Sequence, residues 1–187
     1  IRERIARLKR DLEGVVRERR VQRKARKDCF KVSLVGYTNA GKSTLFNALA
    51  HAKVYVENQL FATLDPTTRV ISSEGKVQLL LTDTVGFIRK LPAHLVASFR
   101  ATLEEVTEAD LLLHIVDATE PDPGAHIEAV NSVLEELGAL HCPRLLVFNK
   151  IDALDDEVTL LGLRAQHPGA IFVSAVTREG IPELREV

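Results

Sequence analysis

The sequence contains no methionine, only two cysteines and no long apolar run. Because the chain has no methionine that could serve as a translation start, we expect it to be a fragment of a longer protein. Cys29 and Cys142 lie far apart without metal-ligand spacing, which indicates free thiols in a reducing, cytoplasmic setting. No apolar run approaches the roughly 20 residues that cross a bilayer. These absences argue against a secreted disulfide-rich protein, a cysteine metal site and a membrane segment.

The net charge of −1 is unevenly distributed along the chain. Residues 1–28 hold 12 of the 25 Lys and Arg residues and 5 of the 26 Asp and Glu residues, which leaves 13 basic and 21 acidic residues in 29–187. A basic arm on an acidic domain indicates a polyanionic partner, most commonly nucleic acid, although a solvated charged helix gives the same pattern.

The basic segment also carries a narrow helical stripe. Its apolar residues recur at alternating steps of four and three, at Ile1, Ile5, Leu8, Leu12 and Val15. Such a stripe needs a partner, either the main domain or, in the interpretation we favour, a helix outside this fragment. We therefore predict a basic helical arm at 1–28, the end of a truncated helical region, and a main domain at 29–187 whose last helix is cut short.

From residue 30 onward, short apolar runs alternate with helical stretches. Strands are predicted at FKVSLVGY, VQLLLTDT, DLLLHIVD, PRLLVFNK and AIFVSA, and helices at 42–50, 95–106, 123–137 and 156–166. Strand-then-helix order gives a parallel sheet covered on both faces. TTRVIS and KVQLLLTD are separated by a turn too short for a crossover, so this pair is predicted to be an antiparallel hairpin at the sheet edge. The predicted fold is α/β, with a mostly parallel six-stranded sheet and one antiparallel edge strand.

Residues 36–43, GYTNAGKS, match the phosphate-loop pattern GxxxxGK[ST] between a predicted strand and a predicted helix. Glycines allow the backbone N–H groups to surround a β-phosphate, and the helix N-terminus adds a favourable dipole. Lys42 supplies positive charge to the β- and γ-oxygens, and Ser43 offers a hydroxyl to Mg²⁺. The loop identifies the predicted α/β fold as that of a P-loop NTPase. The predicted nucleotide contacts of this loop are Tyr37, Thr38, Asn39, Ala40, Gly41, Lys42, Ser43 and Thr44.

A second motif, NKID at residues 149–152, predicts that the nucleotide bound by the domain at 29–187 is GTP rather than ATP. It follows a predicted strand, where ligands of open α/β sheets bind. The Asp152 carboxylate can accept hydrogen bonds from guanine N1–H and the 2-amino group, whereas adenine would leave it unpaired. Three residues after the last predicted strand are expected to contact the same base: Ser174, Ala175 and Val176. Ala175 would do so through its backbone N–H.

Two further segments are predicted to sense the third phosphate. Asp83 and Gly86 begin and end the sequence DTVG after a predicted strand, so Asp83 can hold Mg²⁺ through water and the Gly86 N–H can reach the γ-phosphate. The polar segment 59–69 is predicted to be a loop that becomes ordered only when a nucleoside triphosphate is bound. Within it, we select Thr63 as the Mg²⁺ ligand, with Thr67 and Thr68 as alternatives.

The position after Gly86 bears on the rate of hydrolysis. Many GTPases have a glutamine there that orients the attacking water, but this chain has Phe87, so we expect slow intrinsic hydrolysis. Arg89 and Lys90 are more plausible as surface contacts than as charge donors to the transition state. Asn39 either stabilises the phosphate loop or helps to place a monovalent cation, which gives the hypothesis that K⁺ stimulates hydrolysis. The predicted catalytic set is Lys42, Thr63, Gly86 and Asn39.

Two other polar residues receive structural interpretations. His114 lies within an apolar strand and is predicted to be a hydrogen-bonded core or edge histidine rather than a base. Asp117 ends that strand and is predicted to cap or brace a loop.

The assembled motifs resemble the GTPase domain of the HflX family. The segments that carry the resemblance, over about residues 30 to 185, are VGYTNAGKSTLFNAL, LFATLDPTTR, LLTDTVGFIRKLP, LLLHIVDAT and NKID. The basic arm is similar to the end of the family's preceding helical region. The resemblance implies association with the ribosome, chiefly the large subunit and its rRNA, and a role in splitting or recycling ribosomes. Phe87 agrees with it, since the family belongs among GTPases with a hydrophobic residue in place of the glutamine.

The function predicted on these grounds is a monomeric, cytoplasmic GTPase switch that binds and hydrolyses GTP with Mg²⁺ and is stimulated by the ribosome. Two alternatives stay open at this point. A small-molecule kinase would share the phosphate loop but would accept ATP and would not need NKID. A tRNA-modification-type assembly GTPase would share Asn39 and would dimerise across the nucleotide face in the presence of K⁺.

Overall fold

The computed structural model describes residues 29–50, 67–72, 78–87, 103 and 105–186. The predicted basic arm, Thr63, Arg89, Lys90 and most of the predicted helix at 95–106 lie outside the described residues. The boundary between the arm and the domain therefore stays a prediction.

The described strands match the predicted runs closely. They are β1 Phe30–Gly36, β2 Thr67–Ser72, β3 Gln78–Asp83, β4 Leu111–Asp117, β5 Arg144–Asn149 and β6 Ile171–Phe172. The described helices with full bounds are α1 Lys42–Ala50, α2 Pro123–Glu136, α3 Glu157–Gln166 and α4 Ile181–Glu186, and a single 3₁₀ turn spans Ile151–Ala153. None of the helices in the described part of the chain combines the length and apolarity needed to span a bilayer.

The strands form one six-stranded sheet in the order β2-β3-β1-β4-β5-β6. Only β2 runs antiparallel to its neighbour, β3, and the other pairs are parallel. The predicted sheet, with its antiparallel edge hairpin, is confirmed. In the sheet, β3 lies on one side of β1 and β4 lies on the other, so the direction of strand addition reverses at β1. Ligands of open α/β sheets bind at the carboxyl ends of the strands around such a reversal.

Helices cover both faces of the sheet, as predicted. One core cluster joins β1 and β4 to α1 and α4 through side chains such as Leu34, Phe46 and Leu184. Another, on the opposite face, joins Val35 to α2 through Val130 and Leu134. Strands buried on both faces read as continuous apolar runs, which explains why five strands could be located from the sequence.

Capping residues set the start of two helices. Asp122 Oδ1 accepts a hydrogen bond from Ala125 N at 3.0 Å, and Pro123 follows as the first helical residue of α2. Asp156 Oδ1 accepts one from Thr159 N at 2.6 Å, so Asp156 precedes α3 instead of opening it as predicted.

Candidate nucleotide-binding site

The phosphate loop, residues 36–43, connects the end of β1 to the start of α1. A Cβ added to Gly36 would collide with the backbone oxygen of Ile115 in β4, and one added to Gly41 would collide with the side chain of Asn149. Gly41 also has φ 86, a left-handed conformation that favours glycine. Both glycines of the motif are therefore required by the close approach of the loop to β4 and β5.

Lys42 reaches back across this loop. It is buried, and its Nζ donates hydrogen bonds to Gly36 O at 3.1 Å and Tyr37 O at 2.9 Å. Desolvation lowers its pKa from 10.5 to about 8, and the nearby Asp83 carboxylate partly opposes that fall. The ammonium group is thus held at the loop by carbonyl oxygens, in a place where anionic oxygens would stabilise its charged form.

Ser43 and Asp83 come together although they are 40 residues apart in the chain. Ser43 Oγ donates to Asp83 Oδ2 at 2.6 Å, and Asp83 is fully buried at the end of β3. A hydroxyl and a carboxylate are the hard oxygen ligands that Mg²⁺ prefers. Among the described residues, no group of three or more His, Cys, Asp or Glu side chains could hold a metal ion.

The segment after β3 is fastened to the phosphate loop by backbone hydrogen bonds. Thr38 N donates to Phe87 O at 2.8 Å, and Phe87 N donates to Gly36 O at 3.0 Å. A Cβ on Gly86 would lie 2.8 Å from Thr38 Cα and 3.1 Å from Lys42 Nζ, so only glycine fits there. These contacts place Gly86 directly beside the Lys42 ammonium group.

The Phe87 side chain does not line this surface. It is fully buried and packs with Val35, Leu103 and Val106 in the core on the α2 side of the sheet. The sequence indicated that Phe87 could not orient water, and the structure adds that its ring anchors the segment in the core.

Asn149 connects the phosphate loop to the loop after β6, which contains Ser174, Ala175 and Val176 and is called the last loop below. Its Nδ2 donates to Ala40 O at 3.0 Å, and its Oδ1 accepts from Ala175 N at 3.0 Å. The sequence interpretation assigned the Ala175 N–H to the base; in the structure this N–H donates to Asn149, and its contact with a base stays a prediction. Ser174 is buried, and its Oγ accepts from Thr177 N at 3.0 Å, which supports the same loop.

Asp152 and Val176 are exposed beyond the ends of the adjacent strands β5 and β6. Lys150 takes a left-handed conformation with φ 69, after which Ile151 turns into the core and Asp152 faces outward in the 3₁₀ turn. This local geometry leaves the Asp152 carboxylate accessible to a base. Two predicted nucleotide contacts of the phosphate loop remain. Asn39 is exposed and also has a left-handed conformation, with φ 62, and Thr44 is half-buried.

Two contacts of the site were missed by sequence reasoning. Asp117 Oδ2 forms an ion pair with Lys150 Nζ at 2.6 Å. The Tyr37 ring stacks on His126 of α2, with ring centroids 4.1 Å apart and planes at 10°. Asp117 was noticed only as a loop brace, and a single histidine within a helix gave no indication of its partner.

The phosphate loop and the Asn-Lys-x-Asp segment, at the carboxyl ends of parallel strands, define a guanine-nucleotide-type P-loop protein. Residues 31–150 match the family model described as 50S ribosome-binding GTPase. The chain belongs to this family and, within it, to the HflX GTPases. It is 53% identical to GTPase HflX of Magnetococcus marinus over 98% of this chain and 43% of that protein. It is 50% identical to GTPase HflX of Escherichia coli over 98% of this chain and 44% of that protein.

The chain thus spans less than half the length of these two relatives. Among solved structures, it is similar to a GTP-binding protein from Sulfolobus solfataricus in complex with GDP, with a TM-score of 0.66 and 28% identity over 96% of this chain and 59% of that one. This similarity agrees with the α/β fold described above.

Proposed function

We propose that the chain is the GTP-binding and GTP-hydrolysing unit of an HflX-type factor. The observation that carries the proposal is the position of Asn149, which hydrogen-bonds to Ala40 in the phosphate loop and to Ala175 in the last loop. One buried amide therefore links the proposed phosphate site to the proposed base site. Such a link suits a ligand that has a purine at one end and a polyphosphate at the other.

In this proposal, the residues around the phosphate loop act on the phosphates. Lys42 and the loop N–H groups stabilise negative charge on the β- and γ-phosphates, and the Gly86 N–H detects the γ-phosphate. Ser43, Asp83 and Thr63 would hold Mg²⁺, which neutralises phosphate charge when bound. The contact between Ser43 and Asp83 supports the first two ligands. Loss of the γ-phosphate would loosen residues 59–69 and 83–95 and change the affinity for the partner.

The base is recognised by the exposed side of the site. Asp152 accepts two hydrogen bonds from guanine, and Asn149 and Lys150 shape the surface beside it. A small-molecule kinase is disfavoured, because the matched relatives are named as GTPases. The assembly-type GTPase that dimerises with K⁺ is disfavoured because these relatives are named specifically as GTPase HflX.

Hydrolysis by the chain alone is proposed to be slow. The buried Phe87 offers no group to the attacking water, so the water must be oriented by a group from elsewhere. The large ribosomal subunit and its rRNA are the proposed source, in line with the family description and the basic residues of the segment 1–28. Ribosome binding, splitting and recycling, and the cytoplasmic setting, belong to the proposal for the whole protein.

The test is GTP turnover by the full-length protein with and without purified large ribosomal subunits, in the presence of Mg²⁺. We expect little phosphate release from the protein alone and a large stimulation by the subunits. A rate that the subunits leave unchanged would contradict the proposed partner. No turnover with either, together with no nucleotide binding, would contradict the proposed activity.

The same assay tests the proposed role of Asn39. Its exposed side chain projects from a left-handed position of the phosphate loop, and we propose that it helps to place K⁺ beside the phosphates. Hydrolysis should then be faster in K⁺ than in Na⁺ at matched ionic strength. Equal rates in the two salts would leave Asn39 with a purely structural role in the loop.

A further inference from the structure

An ion pair at the end of β4 lies beside the base site, and its acidic partner, Asp117, has no part in the roles proposed above. Asp117 is the last residue of β4 and lies in register with Asn149, the last residue of β5. Its Oδ2 is 2.6 Å from Lys150 Nζ. The Asp117 side chain is 9% exposed and that of Lys150 is 29% exposed, so the pair is sheltered from solvent on the acidic side.

The other carboxylate oxygen of Asp117 is also fixed. Its Oδ1 accepts hydrogen bonds from Thr119 N at 3.0 Å and Thr119 Oγ1 at 2.7 Å. The next peptide is tied to β5, because Ala118 N donates to Asn149 O at 2.8 Å. The carboxylate is therefore a fixed anion attached to the sheet, which is what a residue that positions another side chain requires.

The lysine that this anion holds passes close to the phosphate loop. Lys150 Cε lies 3.9 Å from the point that a Cβ on Gly41 would occupy, and Asn149 Nδ2 borders the same point. The stem thus runs from the Asn-Lys-x-Asp segment past Gly41 to Asp117. A lysine stem held in this way presents apolar methylene groups along its length while its charge is satisfied at the tip.

We propose that Asp117 is a positioning residue for the bound nucleotide. By holding the Lys150 ammonium group, it keeps the lysine stem in place as one wall of the base site beside Gly41. The inference rests on the proposed guanine-nucleotide function and adds a residue outside the phosphate loop, DTVG and NKID. Its main consequence is kinetic, because a wall that is released from its anchor opens more often and lets the nucleotide leave sooner.

Asp117→Asn is the direct test. The asparagine keeps the shape and can still accept from Thr119, but it removes the charge opposite the Lys150 ammonium group. Because a charged hydrogen bond is lost, the full-length variant should release ribose-labelled fluorescent GDP about tenfold faster than wild type in stopped-flow chase experiments. The matched control is Glu108→Gln, which breaks an exposed pair of 3.3 Å with Lys31 and should change the release rate less than about twofold.

A double-variant cycle distinguishes positioning from general support of the fold. If Asp117 acts through Lys150, then Lys150→Gln alone should accelerate release, and adding Asp117→Asn should change that rate by less than about twofold. Independent effects that multiply would overturn the inference. A lower melting temperature for Asp117→Asn with an unchanged release rate would also overturn it.

A second variant covers the case in which Asp117→Asn does not fold. Thr119→Val removes one hydrogen bond to the carboxylate and should accelerate release only while Lys150 is present. Failure of wild type to bind labelled GDP would refute the proposed function itself. Wild-type binding together with wild-type release rates in both variants would refute only the role of Asp117.

Discussion

Lys42 shows how one residue of the site is placed at a cost to stability. It is buried among carbonyl oxygens, and desolvation lowers its pKa to about 8. Its pKa in the unfolded chain is the ordinary 10.5, so the unfolded state binds the proton more tightly than the folded state. The stability of the ligand-free protein is therefore reduced at neutral pH and should rise with pH between about 8 and 10.5.

Replacement of this lysine should separate stability from binding. We expect Lys42→Met to raise the free energy of unfolding of the ligand-free protein at pH 7 by about 2 kcal/mol, because a buried charge is removed. The same variant should lose detectable GDP binding. Urea unfolding and fluorescence titration measure the two effects, with the more exposed Lys31→Met as control. A destabilised Lys42→Met protein would contradict this view of the buried ammonium group.

His114 gives a pH-dependent prediction at the same scale. It is buried in β4 as predicted, but its buried Nε2 has no hydrogen-bond partner, so the expected hydrogen bond is not formed at that atom. Desolvation, followed by the charges of Arg144 and Lys42, lowers its pKa from 6.5 to about 4. Between about pH 6.5 and pH 4, His114 is protonated in the unfolded state but stays neutral in the folded state. This residue should therefore make the folded protein about 2 kcal/mol less stable at pH 5 than at pH 7.

The comparison of His114→Leu with wild type isolates that contribution. The loss of unfolding free energy between pH 7 and pH 5 should be smaller in the variant by about 2 kcal/mol, whereas the exposed His141→Leu should behave as wild type. Identical pH slopes for wild type and His114→Leu would show that His114 is protonated in the folded state.

At the scale of elements, the end of β3 and the phosphate loop behave as one unit. The backbone of Phe87 exchanges hydrogen bonds with Gly36 and Thr38, while its ring packs in the core against Val35. The start of the segment after β3 is therefore held from both sides. A polar residue at position 87 would have to leave the core before it could approach a nucleotide.

Restoring the usual glutamine should consequently fail to restore catalysis. Phe87→Gln would bury an amide without a partner and leave a cavity, so we expect a loss of about 3 kcal/mol in unfolding free energy and no faster hydrolysis. Single-turnover hydrolysis and urea unfolding provide the measurements. Phe30→Gln, at a phenylalanine that is 42% exposed, should cost far less stability. Faster hydrolysis in Phe87→Gln would contradict the account of a core anchor.

Element boundaries show what the sequence reveals and what it hides. The β2–β3 hairpin was predicted correctly, because the turn between the two apolar runs is too short for a crossover. The start of α3 was placed one residue early, because Asp156 caps the helix and capping depends on a backbone angle that the sequence does not display. The last strand is shorter than its apolar run, since only Ile171 and Phe172 pair with β5.

At the scale of the whole molecule, motifs predicted the location of the site better than its internal contacts. The spacing of the phosphate loop and of NKID reflects backbone requirements that recur in one fold, so the sheet and the two loops were predictable. The bond from Asn149 to Ala40 joins residues 109 positions apart, and no local pattern encodes it. The pairing of Asp117 with Lys150 was missed for the same reason, because only the register of β4 with β5 brings them together.

The account depends on a guanine base held by Asp152 while the phosphate loop binds the phosphates of the same nucleotide. The direct measurement is competition of GDP, ADP and xanthosine diphosphate against labelled GDP, on wild type and on Asp152→Asn. Wild type should prefer GDP over ADP by at least about a hundredfold. Asp152→Asn should lose affinity for GDP and gain affinity for xanthosine diphosphate, whose 2-oxo group accepts from an amide. Equal competition by ADP and GDP on wild type would contradict the account.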